Sequence, residues 1–205
     1  MTTAIHSILF DLGGVLIDWN PRYVYRTIFN TEAETEWFLQ NICTHDWNEQ
    51  QDAGQPLHEG TEQLVAKHPA WEAEIRAYYK RWPEMLGGAL PGSVDIFKRL
   101  KEQHRYTFYA LTNWSAETFP IALDRYDFLH WFDGILVSGA EKVRKPFPAY
   151  YALALERFRL KPSETIFIDD NLRNVEAARA AGIKSIHFQS AEQLEAELSK
   201  ENIAF

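Results

Sequence analysis

Cysteine is almost missing from this sequence. Cys43 is the only one in 205 residues, so no disulfide can form within the chain, which suits a reducing compartment. Positive charge is scarce as well. Lys and Arg total 21 against 29 Asp and Glu, for a formal net charge of -8, and no basic stripe runs along the chain. A protein that grips nucleic acid carries such a stripe, so nucleic acid is excluded as a partner. No apolar run approaches the roughly 20 residues that span a bilayer, which excludes a membrane partner. The N-terminus has no basic segment followed by a long apolar one, so no signal peptide is expected and the protein reads as soluble and cytoplasmic. Histidines such as His45 and His58 are scattered, without the spacing that holds zinc.

What is abundant is apolar and aromatic. Hydrophobic residues make up 46%, with 7 Trp, 9 Tyr and 13 Phe, so the chain folds rather than staying disordered. Its length allows one good core and a modest insertion, and is too short for two large domains. An acidic protein that binds an anion must do so locally, with backbone amides, a metal and a few basic side chains.

Along the chain, Ile5 to Phe10 reads as a buried strand that stops at Asp11 and turns at Gly13-Gly14. Asn20-Pro21 looks like a helix start. From there to about Glu84 no strand is expected. Thr31 to Cys43, Leu57 to Lys67 and Pro69 to Met85 read as helices, with a loop at 52–56. Pro91 opens another helix. Strands follow at Tyr106 to Leu111, Ile135 to Val137, Thr165 to Ile168 and Lys184 to Phe188, alternating with helices, and the tail from Ser190 reads as an amphipathic helix. The pattern predicts an α/β fold: a Rossmann-like parallel sheet with helices on both faces, plus an inserted all-helical cap. The core would span 1–18 and 86–205, and the cap 19–85.

In an open parallel sheet, ligands bind at the carboxyl ends of the strands. Three strand ends carry polar groups: Asp11, Thr112-Asn113 and Asp169-Asp170. A fourth group, Arg144-Lys145-Pro146, lies shortly after the third strand, Ile135 to Val137. Carboxylates gathered at one edge repel unless a cation neutralises them, and all-oxygen ligation points to magnesium rather than zinc. A phosphate could complete the metal's shell, with Lys145 and Thr112 on its free oxygens. Asp11 could then attack phosphorus and form an aspartyl-phosphate.

These residues also carry a resemblance. The run from Phe10 to Asp18, Phe-Asp-Leu-Gly-Gly-Val-Leu-Ile-Asp, resembles the first motif of the haloacid dehalogenase (HAD) superfamily. Leu111-Thr112-Asn113 resembles its second motif, Arg144-Lys145-Pro146 its third, and Phe167-Ile168-Asp169-Asp170-Asn171 its fourth. The wording is similar to bacterial sugar-phosphate phosphatases of the alpha-glucose-1-phosphatase type, and to the phosphatase domain of soluble epoxide hydrolases. The resemblance implies a C1-type cap that selects substrates, Asp11 as nucleophile, and Thr112, Asn113 and Lys145 on phosphate. It further implies magnesium held by Asp11, Asp170, Asp169 and the Gly13 carbonyl, with Asn174 in support. Most phosphatases of the superfamily read Asp-x-Asp, the second Asp being a general acid/base. Here that position is Gly13, so the acid is absent, and either a good leaving group or a donor from the cap must replace it.

Each assignment has a plainer counterpart. Asp11 could cap a turn, Thr112 and Asn113 could form one, and Asp169 or Asp170 could cap a helix. Asp18 reads as a hinge residue, and Arg144 and Lys142 as surface charges. In the cap, aromatics at helical spacing are core residues by default. Trp47, Asn48 and Asp52, flanking a loop, are the expected exceptions that line a substrate site, together with Trp114. The activity expected is magnesium-dependent hydrolysis of a small phosphorylated metabolite, a sugar phosphate being favoured. The alternatives are a metal-free 2-haloacid dehalogenase, a phosphotransferase or mutase, and a non-catalytic phosphometabolite-binding module. Oligomeric state is not encoded in any pattern here.

Overall fold

The computed structural model of the protein describes residues 4–205. The reading of the N-terminus and the first residues of the expected core segment fall partly on 1–3, outside the described residues. The chain runs β1 (Ser7–Phe10), β2 (Ile17–Trp19), then helices α1 (Arg22–Tyr25), α2 (Glu32–Asn41), α3 (His45–Asp52), α4 (Leu57–Lys67) and α5 (Glu72–Lys80). It continues through β3 (Leu86–Ala89), α6 (Pro91–Glu102), β4 (Thr107–Thr112), α7 (Phe119–Arg125), β5 (Gly134–Val137), α8 (Ser138–Glu141) and α9 (Pro148–Arg157). It finishes with β6 (Thr165–Asp169), α10 (Leu172–Ala180), β7 (Lys184–His187) and α11 (Ala191–Lys200).

Five strands form one sheet in the order β5-β4-β1-β6-β7. Every pairing in it is parallel. β1 is central, and its four residues are all buried, because strand side chains alternate between two faces and both are covered. Ile8 and Phe10 enter one apolar cluster and Leu9 the other. Neighbouring strands repeat the alternation: Ile166 and Ile168 side with Ile8, while Phe167 and Leu111 side with Leu9. The Leu9 face is covered by Tyr150, Tyr151 and Ala154 of α9 and Ala178 of α10. The opposite face packs on Ile96, Phe97 and Leu100 of α6 and Leu194 and Leu198 of α11.

That second cluster continues through Leu12, Val15 and Leu16 into Val24, Phe38, Ile75 and Tyr78 of the helical segment. The helices between β2 and β3 therefore share a core with the sheet. Cys43 lies in this shared layer, 3% exposed, with the Tyr25 hydroxyl 3.8 Å from its sulfur. Burial pushes its thiol up to about 12. No helix among the described residues is long and apolar enough to cross a membrane.

The region expected to lack strands has none among the described residues and is bracketed by β2 and β3, which pair antiparallel, so the chain leaves and rejoins the sheet layer at adjacent points. Two local expectations are corrected. The stretch from Pro69 to Met85 is not one helix: 3-10 turns at Pro69–Trp71 and Trp82–Met85 flank α5, each beginning at or beside a proline, which cannot donate to a helical ladder. Finally, α3 forms where no helix was expected. Its first turn is fastened by the Thr44 side chain, which accepts from Trp47 N. The buried side chains of α3 are Asn48, Glu49 and Gln51, so it has no apolar stripe to betray it.

Phe97 is fully buried and its ring packs against Phe10, Phe108, Trp131 and Phe132. Phe97→Ala is expected to destabilise the fold by about 3–5 kcal/mol, read as a lowered urea midpoint with an unchanged slope.

Candidate active site

The register of the sheet sets the site. Phe10 pairs with Ile168 on the neighbouring parallel strand, and Asp11 N donates to Ile168 O at 2.8 Å. The next residues, Asp11 and Asp169, therefore emerge side by side and toward one face. Two ionised carboxylates so placed repel. Lys145 sits between them, its Nζ 2.8 Å from Asp11 Oδ1 and 2.7 Å from Asp169 Oδ2. Lys145 and Asp169 are fully buried and Asp11 is 8% exposed.

Each member is held by others. Asp11 Oδ1 also accepts from Leu12 N at 2.7 Å, so Oδ2 is the oxygen left for other chemistry. Asp169 accepts from Asn171 N at 2.8 Å and from Asn174 Nδ2, 3.1 Å from both its oxygens. Asn174 thus fixes a carboxylate from the first turn of α10, whose N-cap is Asn171. Lys145 is locked through its backbone: its N–H donates to Asn113 Oδ1 at 2.9 Å, and its carbonyl accepts from Asn113 Nδ2 at 3.0 Å.

Asp170 is turned differently from Asp169. It borders the cavity, and its carboxylate occupies the space that a Cβ at Gly14 would need, with Oδ2 only 2.3 Å from that position. Gly14 also has φ +73°, so both conformation and contact require glycine. Asp11, Asp169 and Asp170 each offer one oxygen, all within 4.8 Å of one another. Such an all-oxygen set fits a hard divalent cation. The electrostatics agree. Burial pushes the Asp11 carboxyl well above the usual carboxylate range; the Lys145 ammonium opposes this, and Asp169 and Asp170 add to it. Burial and Asp169 likewise raise Asp170. Burial works against the Lys145 ammonium, but Asp11 and Asp169 more than offset it and hold its pKa above the ordinary lysine value. Three carboxylates against one ammonium leave surplus negative charge at the cavity floor.

The cavity above has a volume of about 330 Å³. Core residues Asp11, Gly13, Asn113, Trp114, Lys145 and Asp170 border it from one side. Asn48 and Asp52 of α3, Tyr79 of α5, and Trp19 and Trp82 border it from the other. A Cβ added at Gly13 would meet nothing within 4 Å, so the position expected to carry an acid is open rather than crowded.

Most of the sequence-named residues converge here. Asn48, Asp52 and Trp114 border the cavity. Thr112 ends β4 almost fully buried, and the residues after it form the wall. Asn113 reaches the wall, but its amide is engaged by the Lys145 backbone. Trp47 is corrected: it packs edge-on against Tyr78 and donates from Nε1 to Gly60 O at 3.1 Å, which makes it core. Arg144 is also corrected. Its side chain is 11% exposed and meets Glu49 Oε2 at 2.7 Å. Glu49 takes Arg173 on its other oxygen at 2.9 Å, tying α3 to the third motif and to α10. Glu49 and Arg144 are 95 residues apart, and no local pattern in the sequence signals the pairing. Asp18 lies off the cavity and accepts from the Tyr23 hydroxyl.

Comparison with known proteins agrees with this arrangement. A family model described as haloacid dehalogenase-like hydrolase matches residues 5–182. A sesquiterpene phosphatase of Aspergillus oryzae is 29% identical over 91% of both chains. A phosphorylated carbohydrates phosphatase of Thermotoga maritima is 24% identical over 89% of this chain and 84% of its own. Among solved structures, a HAD family enzyme of Bacteroides thetaiotaomicron in a magnesium complex superposes with TM-score 0.73 at 21% identity, covering 96% of this chain and 99% of that one. A dehalogenase superposes with TM-score 0.69 at 18% identity, covering 97% and 99%. At such identities the two structures speak for the fold alone. The family match extends across most of the sequence and includes all four motifs, and on that basis the chain belongs to the haloacid dehalogenase-like hydrolase family.

Proposed function

We propose that this hydrolase is a magnesium-dependent phosphatase of small phosphorylated metabolites, working through an aspartyl-phosphate on Asp11. The observation that carries this reading is the cluster of Asp11, Asp169 and Asp170, with three oxygens within 4.8 Å and, among the described residues, Lys145 as the one ammonium paired with them. A haloacid dehalogenase needs the nucleophile and a cation beside it, but has no use for a third carboxylate. The phosphatase relatives support the same choice.

In this reading Asp11, Asp169, Asp170 and the Gly13 carbonyl hold the ion. Magnesium, when bound, supplies the positive charge that neutralises the carboxylates and draws a phosphate to the cavity floor. Lys145 orients Asp11 and contacts the phosphate, with Thr112 and Asn113 shaping the wall beside it. Asp11 attacks phosphorus, and the bond from phosphorus to the leaving oxygen breaks. Water then attacks phosphorus, the Asp11–phosphorus bond breaks, and inorganic phosphate leaves. The segment 19–85 is proposed as the cap, with 1–18 and 86–205 as the catalytic core. Trp19, Tyr79, Trp82 and Trp114 give the cavity aromatic faces, while Asn48 and Asp52 give it hydrogen-bonding groups. That mixture suits the apolar face and the hydroxyls of a sugar ring, so a sugar phosphate is the favoured substrate. The proposed location is the cytoplasm, supported by a lone, buried thiol.

Asp11→Asn is expected to lower turnover of p-nitrophenyl phosphate by more than about 10³-fold, measured at steady state with magnesium. The same substitution is expected to raise Tm in metal-free buffer. The folded pKa of Asp11 lies above its unfolded value, so its ionised form weakens the fold at neutral pH, and this is relieved as pH falls through the raised value. Magnesium at about 100-fold over its Kd should raise the wild-type Tm by about 5–10 °C, with a smaller rise in the variant. Full chelation should abolish activity; turnover that survives it would favour the dehalogenase chemistry instead.

A further inference from the structure

Gly13 leaves the reaction without the acid that its motif position normally supplies, and the cavity shows where a substitute sits. In-line transfer places the attacking and leaving oxygens roughly opposite each other about phosphorus. Asp11 rises from the sheet edge, so the leaving oxygen departs away from the sheet, toward the side formed by α3 and α5. The water that later attacks phosphorus approaches along the same line. One group on that side can therefore serve both steps.

The ionisable residues bordering the cavity are Asp11, His45, Glu49, Asp52, Tyr79, Lys145 and Asp170. Asp11, Lys145 and Asp170 belong to the floor. Glu49 is engaged on both oxygens, by Arg144 on Oε2 and Arg173 on Oε1. Tyr79 has its hydroxyl 3.0 Å from Asn48 Oδ1 and 2.9 Å from Gln51 Oε1, and burial raises its pKa far beyond use. His45 is 63% exposed in its side chain, with Nε2 3.3 Å from Glu49. Asp52 remains. It is the one carboxylate on this side, among the described residues, with no Arg or Lys ion pair.

We propose that Asp52 is the acid–base residue of the reaction, giving its proton to the leaving oxygen as Asp11 attacks and taking one from the water that hydrolyses the aspartyl-phosphate. The assignment rests on the phosphatase reading. The atoms balance: the first step breaks the bond from phosphorus to the leaving oxygen and the Asp52 O–H bond, releasing an alcohol. The second forms a bond between water oxygen and phosphorus, restores the Asp52 proton and frees the Asp11 carboxylate.

The surroundings of Asp52 are built for holding a proton at a fixed place. Asn48 Nδ2 donates to Oδ2 at 2.8 Å, and the carboxylate borders the cavity. The end of α3 is pinned to the core, since Ser138 Oγ donates to the Asp52 carbonyl while accepting from Trp114 N. Burial raises the carboxyl to about 7; the Ser115 N–H and Arg144 oppose this, and Glu49 adds to it. Tyr78 and Tyr79, facing it from α5, stay neutral. A carboxyl tuned near neutral pH can act as acid in one step and base in the next.

The test compares kcat/KM, which reports the step up to loss of the leaving group, for an alkyl phosphate and p-nitrophenyl phosphate with magnesium. Asp52→Asn should lower the alkyl value by about 10²–10⁴-fold and the p-nitrophenyl value at least tenfold less, since nitrophenolate needs little protonation. In the wild-type protein, the alkyl value should fall as pH rises through about 7, a limb missing from the nitrophenyl profile. Equal losses on both esters, no loss on either, or identical pH limbs would overturn the assignment to Asp52 alone. A wild-type protein that turns over neither ester would overturn the phosphatase reading, and this assignment with it.

Discussion

Everything at the cavity floor depends on one ammonium placed between two carboxylates that the sheet forces together. Parallel pairing of β1 with β6 puts Asp11 beside Asp169, and neither can move away without breaking the register. Lys145 alone makes this tolerable, and it must be buried to do so. Burying a charge is costly unless it is paired and hydrogen-bonded, so the chain surrounds the trio with fixed partners. Asn174 and Asn171 N hold Asp169, Leu12 N holds Asp11, and Asn113 holds the Lys145 backbone. The charge imbalance that remains is what the proposed divalent ion would neutralise.

The same logic explains which parts of the protein could be read from sequence. Strand ends are legible because a buried strand is a run of apolar residues, and a polar residue that terminates one stands out. Asp11, Thr112 and Asp169 were found this way, and their convergence follows from parallel topology alone. Asn174 was legible because it falls one turn beyond Asp170 on a helix whose start is marked.

The helical segment was less legible for a definite reason. Pattern reading looks for apolar periodicity, and α3 buries Asn48, Glu49 and Gln51 instead. Its buried polar side chains each have a partner: Asn48 and Gln51 meet the Tyr79 hydroxyl, and Glu49 meets two arginines. Arg144 seemed a surface charge for the same reason: its partner lies on an element distant in sequence, and no local pattern shows such a pairing. Trp47 misled in the opposite direction, since closeness to a presumed loop suggested exposure, whereas its ring packs on Tyr78 and Tyr79. The residues hardest to read were thus those at the junction of the helical segment and the sheet layer, where contacts are long-range and polar.

Cys43, notable at first only for being alone, has a practical consequence. It lies among the residues that join the helical layer to the sheet, with its thiol buried and its thiolate disfavoured. A thiol reagent reaches that sulfur only when the core around it opens, because neither exposure nor acidity makes it reactive in the folded state. The rate of labelling therefore reports opening of the core where the helical segment meets the sheet, carried by a single atom and free of interference from any other cysteine.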